Sequence, residues 1–146
     1  MRRGEGCPIC GEGRPDENRF GIRIFAGPTS DAYLQRSAIQ RGYTTVMWRV
    51  RHVAEPTELS PDEAAAYWLE VLWVARGLEL YLNPVKMNYN VLGNSVPHLH
   101  THVIPRYAKD PRPGRPFPFP ETEPPPFDEG MLRRDVESLR RHLLRP

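Results

Sequence analysis

Polar and apolar positions divide this chain into short alternating stretches and one long segment with a helical period. Residues 19–28, RFGIRIFAGP, alternate in part and end on Gly27-Pro28, which predicts a strand followed by a turn. Tyr43 to Val50 is rich in β-branched and aromatic residues. A period of two there sets Tyr43, Thr45, Met47 and Arg49 on one face and Thr44, Val46, Trp48 and Val50 on the other. This predicts a strand with Gly42 at its turn. The period changes in LSPDEAAAYWLEVLWVARGLELYL, where Ser60 can cap, Pro61 suits the first helical position and Glu63 completes a capping box. A helix is expected over about 60–82. Trp68, Val71, Leu72, Ala75, Leu78 and Leu82 recur at three- and four-residue intervals and should pack on a sheet. Tyr67 and Trp73 add apolar rows beyond what one face needs, which fits either a well-covered core helix or a subunit contact.

After Asn83-Pro84, VKMNYNVLGN reads as a strand and turn, and PHLHTHVI as a further strand stopped by Pro105. Eight of the residues between 111 and 126 are proline, which predicts an extended arm poor in hydrogen bonds. Beyond it Leu132, Val136, Leu139 and Leu143 predict a short amphipathic helix that docks. The expected organisation is one domain over 1–146, with a cysteine-bearing head (1–18), the proline-rich arm (108–127) and the C-terminal helix (128–146).

Composition narrows the function classes. Twenty Lys and Arg stand against eighteen Asp and Glu, with no basic stripe, so a nucleic-acid partner is not expected. No run of eighteen apolar residues is present, so no membrane association is expected, and the protein is placed in the cytoplasm. In that reducing compartment, Cys7 and Cys10 at C-x-x-C spacing point to metal ligation or a redox pair rather than a structural disulfide.

Three of the five histidines, His98, His100 and His102, occupy alternating positions in SVPHLHTHVIPRY. In a strand such positions share a face at spacings of about 7 Å, so the three imidazoles should share one environment, while Leu99, Thr101 and Val103 point to the core. Imidazoles grouped on one face suit proton transfer, nucleophilic attack or metal ligation near neutral pH. A solvated polar strand face and a purely metal-binding row are the competing readings.

His98-Leu99-His100-Thr101-His102-Val103-Ile104 resembles the signature of the histidine triad family: His, apolar, His, apolar, His, apolar, apolar. Thr101 is a mild departure. The lead-in GNSVPH is similar to the family's Gly-Gln-Ser/Thr-Val-x-His, with Asn94 where Gln is common, and Gly42 and His52 also fall at family positions. The resemblance covers roughly residues 7–107. It implies an α+β fold, an antiparallel sheet of about five strands with the long helix packed on it, and pairing as a homodimer. It also implies a nucleotide hydrolase or nucleotidyl transferase in which His100 attacks the α-phosphorus of a purine nucleotide, either a dinucleoside polyphosphate or a nucleoside phosphoramidate, with dinucleoside polyphosphates favoured because the proline-rich arm and docked tail could wall a longer site. His100 would present a neutral nitrogen, its other nitrogen bonded to a backbone carbonyl beside the first histidine. His102 would be a cationic hydrogen-bond or proton donor near the leaving group. Asn88, Asn94 and Ser95 would bind substrate, Gln35 would take a weak ribose or phosphate role, and Arg106 could pair with phosphate or hold a carboxylate, the second being preferred. A nucleotide sensor or interaction scaffold without turnover is the alternative.

CPICG alone supplies two ligands, too few for a tetrahedral zinc site, and a metal-free reduced pair stays open at this level. Some histidine triad proteins similar to this chain, and the related galactose-1-phosphate uridylyltransferases, use a Cys, Cys, His, His set that includes the first triad histidine. The resemblance therefore implies one structural zinc per chain on Cys7, Cys10, His52 and His98, making residues 1–18 a zinc-knuckle head. His142 is expected to be solvated.

Overall fold

The alternating segments become strands of one antiparallel sheet. In the computed structural model, which describes residues 3–144, these are β1 (Gly21–Ala26), β2 (Ser30–Gln35), β3 (Thr44–Trp48), β4 (Lys86–Asn90) and β5 (His100–Arg106). Their order is β1-β2-β3-β5-β4, and every neighbouring pair is antiparallel. The helices are α1 (Pro8–Glu12) in the head, α2 (Pro61–Leu82) between β3 and β4, and α3 (Glu129–His142) after the arm. Met1, Arg2, Arg145 and Pro146, the outer ends of the expected head and C-terminal helix, lie outside the described residues.

β2 has no counterpart in the sequence-based expectation. It pairs on both edges and buries five of its six residues, so no polar face remains to mark a period of two. Its polar residues are satisfied internally. Asp31 takes a two-pronged bond from Arg14 (2.7 and 2.9 Å) and another from Arg49 (3.1 Å), while the Ser30 hydroxyl donates to Glu70 of α2 (2.6 Å).

α2 starts at the expected capping box and ends at Asn83, which adopts the left-handed conformation (φ 48°). Its packed face is rotated from the expected one: Tyr67, Val71, Val74 and Leu78 are buried, whereas Trp68 and Leu72 are 37% and 47% exposed. Polar anchors set this rotation. The Tyr67 hydroxyl crosses the core to donate to the Val46 carbonyl (3.0 Å) and lies 2.8 Å from the Thr101 hydroxyl, and Glu70 accepts from Thr29 and Ser30. Thr101 thus fills an apolar position of the triad pattern while keeping a buried partner.

β5 runs past Pro105 to Arg106, contrary to the expected stop. Pairing with β3 ends at Thr44–Val103, just before the proline, so its missing N–H takes nothing from that ladder, and the Gln40 amide donates to its carbonyl. Gly42, at φ 81°, turns the chain into β3 where a Cβ would collide with Leu82 and Pro105. α3 packs Leu132, Val136, Leu139 and Leu143 into the core formed by α2 and the sheet, as its spacing predicts. The arm is tied down on the opposite side. Ala38 donates to the Pro125 carbonyl, Phe127 donates to the Arg36 carbonyl, and Phe117 is buried with Tyr43 and Ile104.

Candidate active site and metal centre

Alternation in β5 sends Thr101 and Val103 into the α2 core and His100 and His102 to the other face of the sheet. The expectation of a single environment for the three histidines fails at His98. Residues 95–99 are bends and irregular chain, so the period of two does not reach back that far. His98 is turned beneath the head and is 2% exposed.

Its ring is held on both nitrogens. Nε2 lies 2.7 Å from the Trp48 carbonyl and must donate to it, which leaves the Nδ1 lone pair facing Cys7 Sγ (3.5 Å) and Cys10 Sγ (3.4 Å). His52 Nδ1 is 3.4 Å from Cys10 Sγ. The four donor atoms of Cys7, Cys10, His52 and His98 all lie within 4.8 Å of one another. Zinc bonds of about 2.3 Å to sulfur and 2.0–2.1 Å to nitrogen, at tetrahedral angles, separate a sulfur from a nitrogen by about 3.5 Å. The three sulfur–nitrogen pairs at 3.4–3.5 Å match that separation, so the donor set suits such an ion. Burial, followed by the neighbouring Cys7, pushes the Cys10 thiol up.

His98 also supports the His100–His102 face through its backbone. His100 Nδ1 lies 2.6 Å from the His98 carbonyl and donates to it, which fixes the Nδ1–H tautomer and leaves Nε2 with a free lone pair. Burial pulls the His100 imidazole below its ordinary range, against the opposing effect of that hydrogen bond, so the ring is neutral at pH 7. His102, whose ring centroid is 4.8 Å from that of His100, is pulled down to about 4 by burial and then by His100. Burial thus disfavours the cationic form expected of His102. A 2.6 Å contact joins its Nδ1 to the Tyr43 hydroxyl.

Both rings open on a cleft of about 430 Å³, within the range of small-molecule sites. Ile9, Phe20, Met47 and Leu92 give it an apolar wall, and Gln35, Asn94 and Ser95 bring polar groups to it. Gln35 is steadied by donating to the Thr45 hydroxyl (3.0 Å). Asn88 lies apart, in the neighbouring groove between β4 and the arm, where its Oδ1 accepts from Arg106 (2.8 Å). Arg106 pairs with Asp110 (2.6 Å) and donates to arm carbonyls, the carboxylate-holding role expected for it. The β4 residue opposite His102 in the ladder is Asn90, two positions further on. The sequence reading passed over Asn90, Thr45 and Tyr43 as site residues. The shared face of Tyr43 and Thr45 was visible in the period of two, but the pairing of Thr45 with His102 and the contact of the Tyr43 hydroxyl with that ring were not.

Residues 21–109 match the HIT domain family. The chain belongs to the HIT, or histidine triad, family. Among its relatives is the bifunctional bis(5'-adenosyl)-triphosphatase/adenylylsulfatase FHIT of Arabidopsis thaliana, 29% identical over 92 residues that span 60% of this chain and 51% of that protein. A histidine triad protein from Bradyrhizobium japonicum superposes with a TM-score of 0.77 at 27% identity, over 85% of this chain and 91% of that one. A Zn-bound histidine triad family protein from Mycobacterium smegmatis, 23% identical, has the same fold, with a TM-score of 0.68 over 95% of this chain and 94% of that one. Among the described residues, no helix is long and apolar enough to cross a membrane.

Proposed function

We propose that the chain is a nucleotide hydrolase or nucleotidyl transferase that cleaves at the α-phosphorus of a purine nucleotide, with dinucleoside polyphosphates or nucleoside phosphoramidates as substrates. The observation that carries this reading is the His100 to His98-carbonyl bond of 2.6 Å, which holds a neutral nucleophilic nitrogen at the cleft. In the first step His100 Nε2 forms a bond to phosphorus as the bond to the leaving group breaks and the leaving atom keeps the electron pair. In the second, water or another acceptor attacks the nucleotidyl-histidine, gives up a proton and restores the free imidazole. Asn94 and Ser95 can donate to phosphate oxygens, and the apolar wall of Ile9, Phe20, Met47 and Leu92 suits the base.

Cys7, Cys10, His52 and His98 would hold a structural zinc, whose role is to fix the head and the approach to β5. The ring of His98 belongs to that cluster while its carbonyl orients His100, so a single residue joins the two sites. We also infer a homodimer. Trp68, Leu69, Leu72 and Leu80 of α2 stay exposed, and β4 is an edge strand with Val85 and Tyr89 exposed beside it.

Chromatography of products from a panel of ADP, dinucleoside tri- and tetraphosphates and an AMP phosphoramidate tests the reading, with His100→Ala as the control. Nucleoside monophosphate formed by wild type and absent with His100→Ala is the expected result. Tight nucleotide binding without turnover of any panel member would reassign the chain as a sensor or scaffold.

A further inference from the structure

Tyr43 is 3% exposed, and its ring packs with Ile104 and Phe117 beneath the arm. It meets the edges of His102 and Phe119 at centroid distances of 5.7 and 6.2 Å. Its hydroxyl lies 2.6 Å from His102 Nδ1 and has no other hydrogen-bond partner among the described residues. A phenol with one neighbour directs its proton there, and burial pushes the Tyr43 hydroxyl well above its ordinary range, so that proton stays on. His102 therefore accepts at Nδ1 and carries its own proton at Nε2.

We propose that Tyr43 is a positioning residue that holds His102 as a neutral Nε2–H donor, and that this favours leaving groups that depart as a phosphate or polyphosphate anion over amines. The proposal rests on the α-phosphorus reading above and selects between its two substrate classes. As the bond from His100 to phosphorus forms, the leaving atom takes the electron pair of the bond that breaks. A phosphate oxygen keeps that pair as a stable anion and needs only the hydrogen bond from Nε2–H. An amine nitrogen needs a proton, and a neutral imidazole yields its remaining proton only by becoming an imidazolate or by drawing the Tyr43 proton onto Nδ1, which would leave a buried tyrosinate that the surroundings of the phenol disfavour. Among the described residues, the other neighbours of His102 supply no substitute acid: Thr45 of β3 and Asn90 of β4 stand opposite it, Phe119 covers it from the arm, and His100 is the nucleophile.

Nitrogen-15 NMR of the histidine-labelled full-length protein reads the tautomer, with His102→Gln to assign the resonances. Wild type at pH 7 should show His102 with a bare Nδ1 and a protonated Nε2. Tyr43→Phe keeps the ring, removes the hydroxyl and should lose that preference. Initial rates with diadenosine triphosphate and adenosine 5'-phosphoramidate give the second readout. Wild type should favour the anhydride at least tenfold. Tyr43→Phe should lower kcat for the anhydride about tenfold, roughly the worth of one hydrogen bond, with KM little changed. A cationic or Nδ1–H His102 in the wild type overturns the proposal, as does equal or better turnover of the phosphoramidate. An anhydride preference untouched by Tyr43→Phe overturns it too. Turnover of neither substrate would overturn the α-phosphorus reading and the leaving-group preference with it, a result distinguishable from the failure of the tautomer assignment alone.

Discussion

Cys7→Ser should remove the metal from the Cys7, Cys10, His52, His98 cluster and undock part of the head while leaving the sheet folded. Wild-type protein should carry about one zinc per chain, by the four-ligand arithmetic of a closed structural site. In zinc-finger peptides metal binding is worth about 10–16 kcal/mol because nothing else folds the chain. Here the sheet has its own core, and the head keeps other attachments: Arg14 on Asp31, Arg49 on the Ile9 carbonyl (2.9 Å), and the Tyr33 hydroxyl on the Pro15 carbonyl (2.7 Å). At about 1 kcal/mol for each hydrogen bond and about 2 kcal/mol for burying Ile9, these hold the head in part without metal. Set against the zinc-finger figure, these attachments leave an expected loss of at least about 4 kcal/mol. Activity should fall about tenfold and not vanish, because the His98 ring keeps its bond to the Trp48 carbonyl. Elemental analysis and denaturant unfolding check both statements. Cys10→Ser separates metal from packing: Cys10 is exposed and Cys7 is buried, so packing alone predicts a loss for Cys7→Ser only, whereas ligation predicts similar losses for both. No zinc in the wild type, together with an unchanged midpoint for Cys7→Ser, would refute the reasoning.

Acid should weaken the fold through the buried histidines. His102 falls from 6.5 to about 4 on folding, and His100 shifts the same way, so the unfolded chain binds more protons and stability drops as pH falls from about 6.5 toward 4. His102 alone accounts for about 3 kcal/mol, and urea unfolding at pH 7, 5.5 and 4.5 should show a steeper decline for wild type than for His102→Gln; equal slopes would contradict this. Gly42→Ala should destabilise by about 1–3 kcal/mol or more, since a side chain at φ 81° is strained and its Cβ meets Leu82 and Pro105, and a thermal melt unchanged from wild type would count against that geometry. Light scattering should give twice the chain mass for wild type and a lower mass for Leu72→Glu on the exposed face of α2; a monomeric wild type removes the dimer.

Elements with a strong one-dimensional period were legible. The capping box at Ser60 and Glu63, the spacing of Leu132 through Leu143 and the alternation in TTVMW each lie within one segment, and the structure keeps all three. β2 was not legible, because a strand buried on both faces has no period and its Ser30 and Asp31 are satisfied by Glu70 and Arg14, distant in sequence. The rotation of α2 was likewise invisible, since Trp68 and Leu72 look as apolar as Val71. The reach of the Tyr67 hydroxyl to Val46 and Thr101, with Glu70 on Thr29 and Ser30, decides which row turns inward.

The same division runs through the candidate site. Alternation and residue type determined that His100 and His102 share a face and that Cys7 and Cys10 make a two-ligand turn, because both depend on neighbours a few residues apart. Tertiary structure decided that His98 leaves that row for the cysteines, 91 and 88 residues away in sequence, while its carbonyl stays with His100. It also set Tyr43 behind His102 and Asn90 opposite it, and drew Asn88 toward Arg106. Local periodicity specifies which way a side chain points, but the charge, tautomer and partner of an imidazole are set by what the folded chain brings within about 3 Å of it.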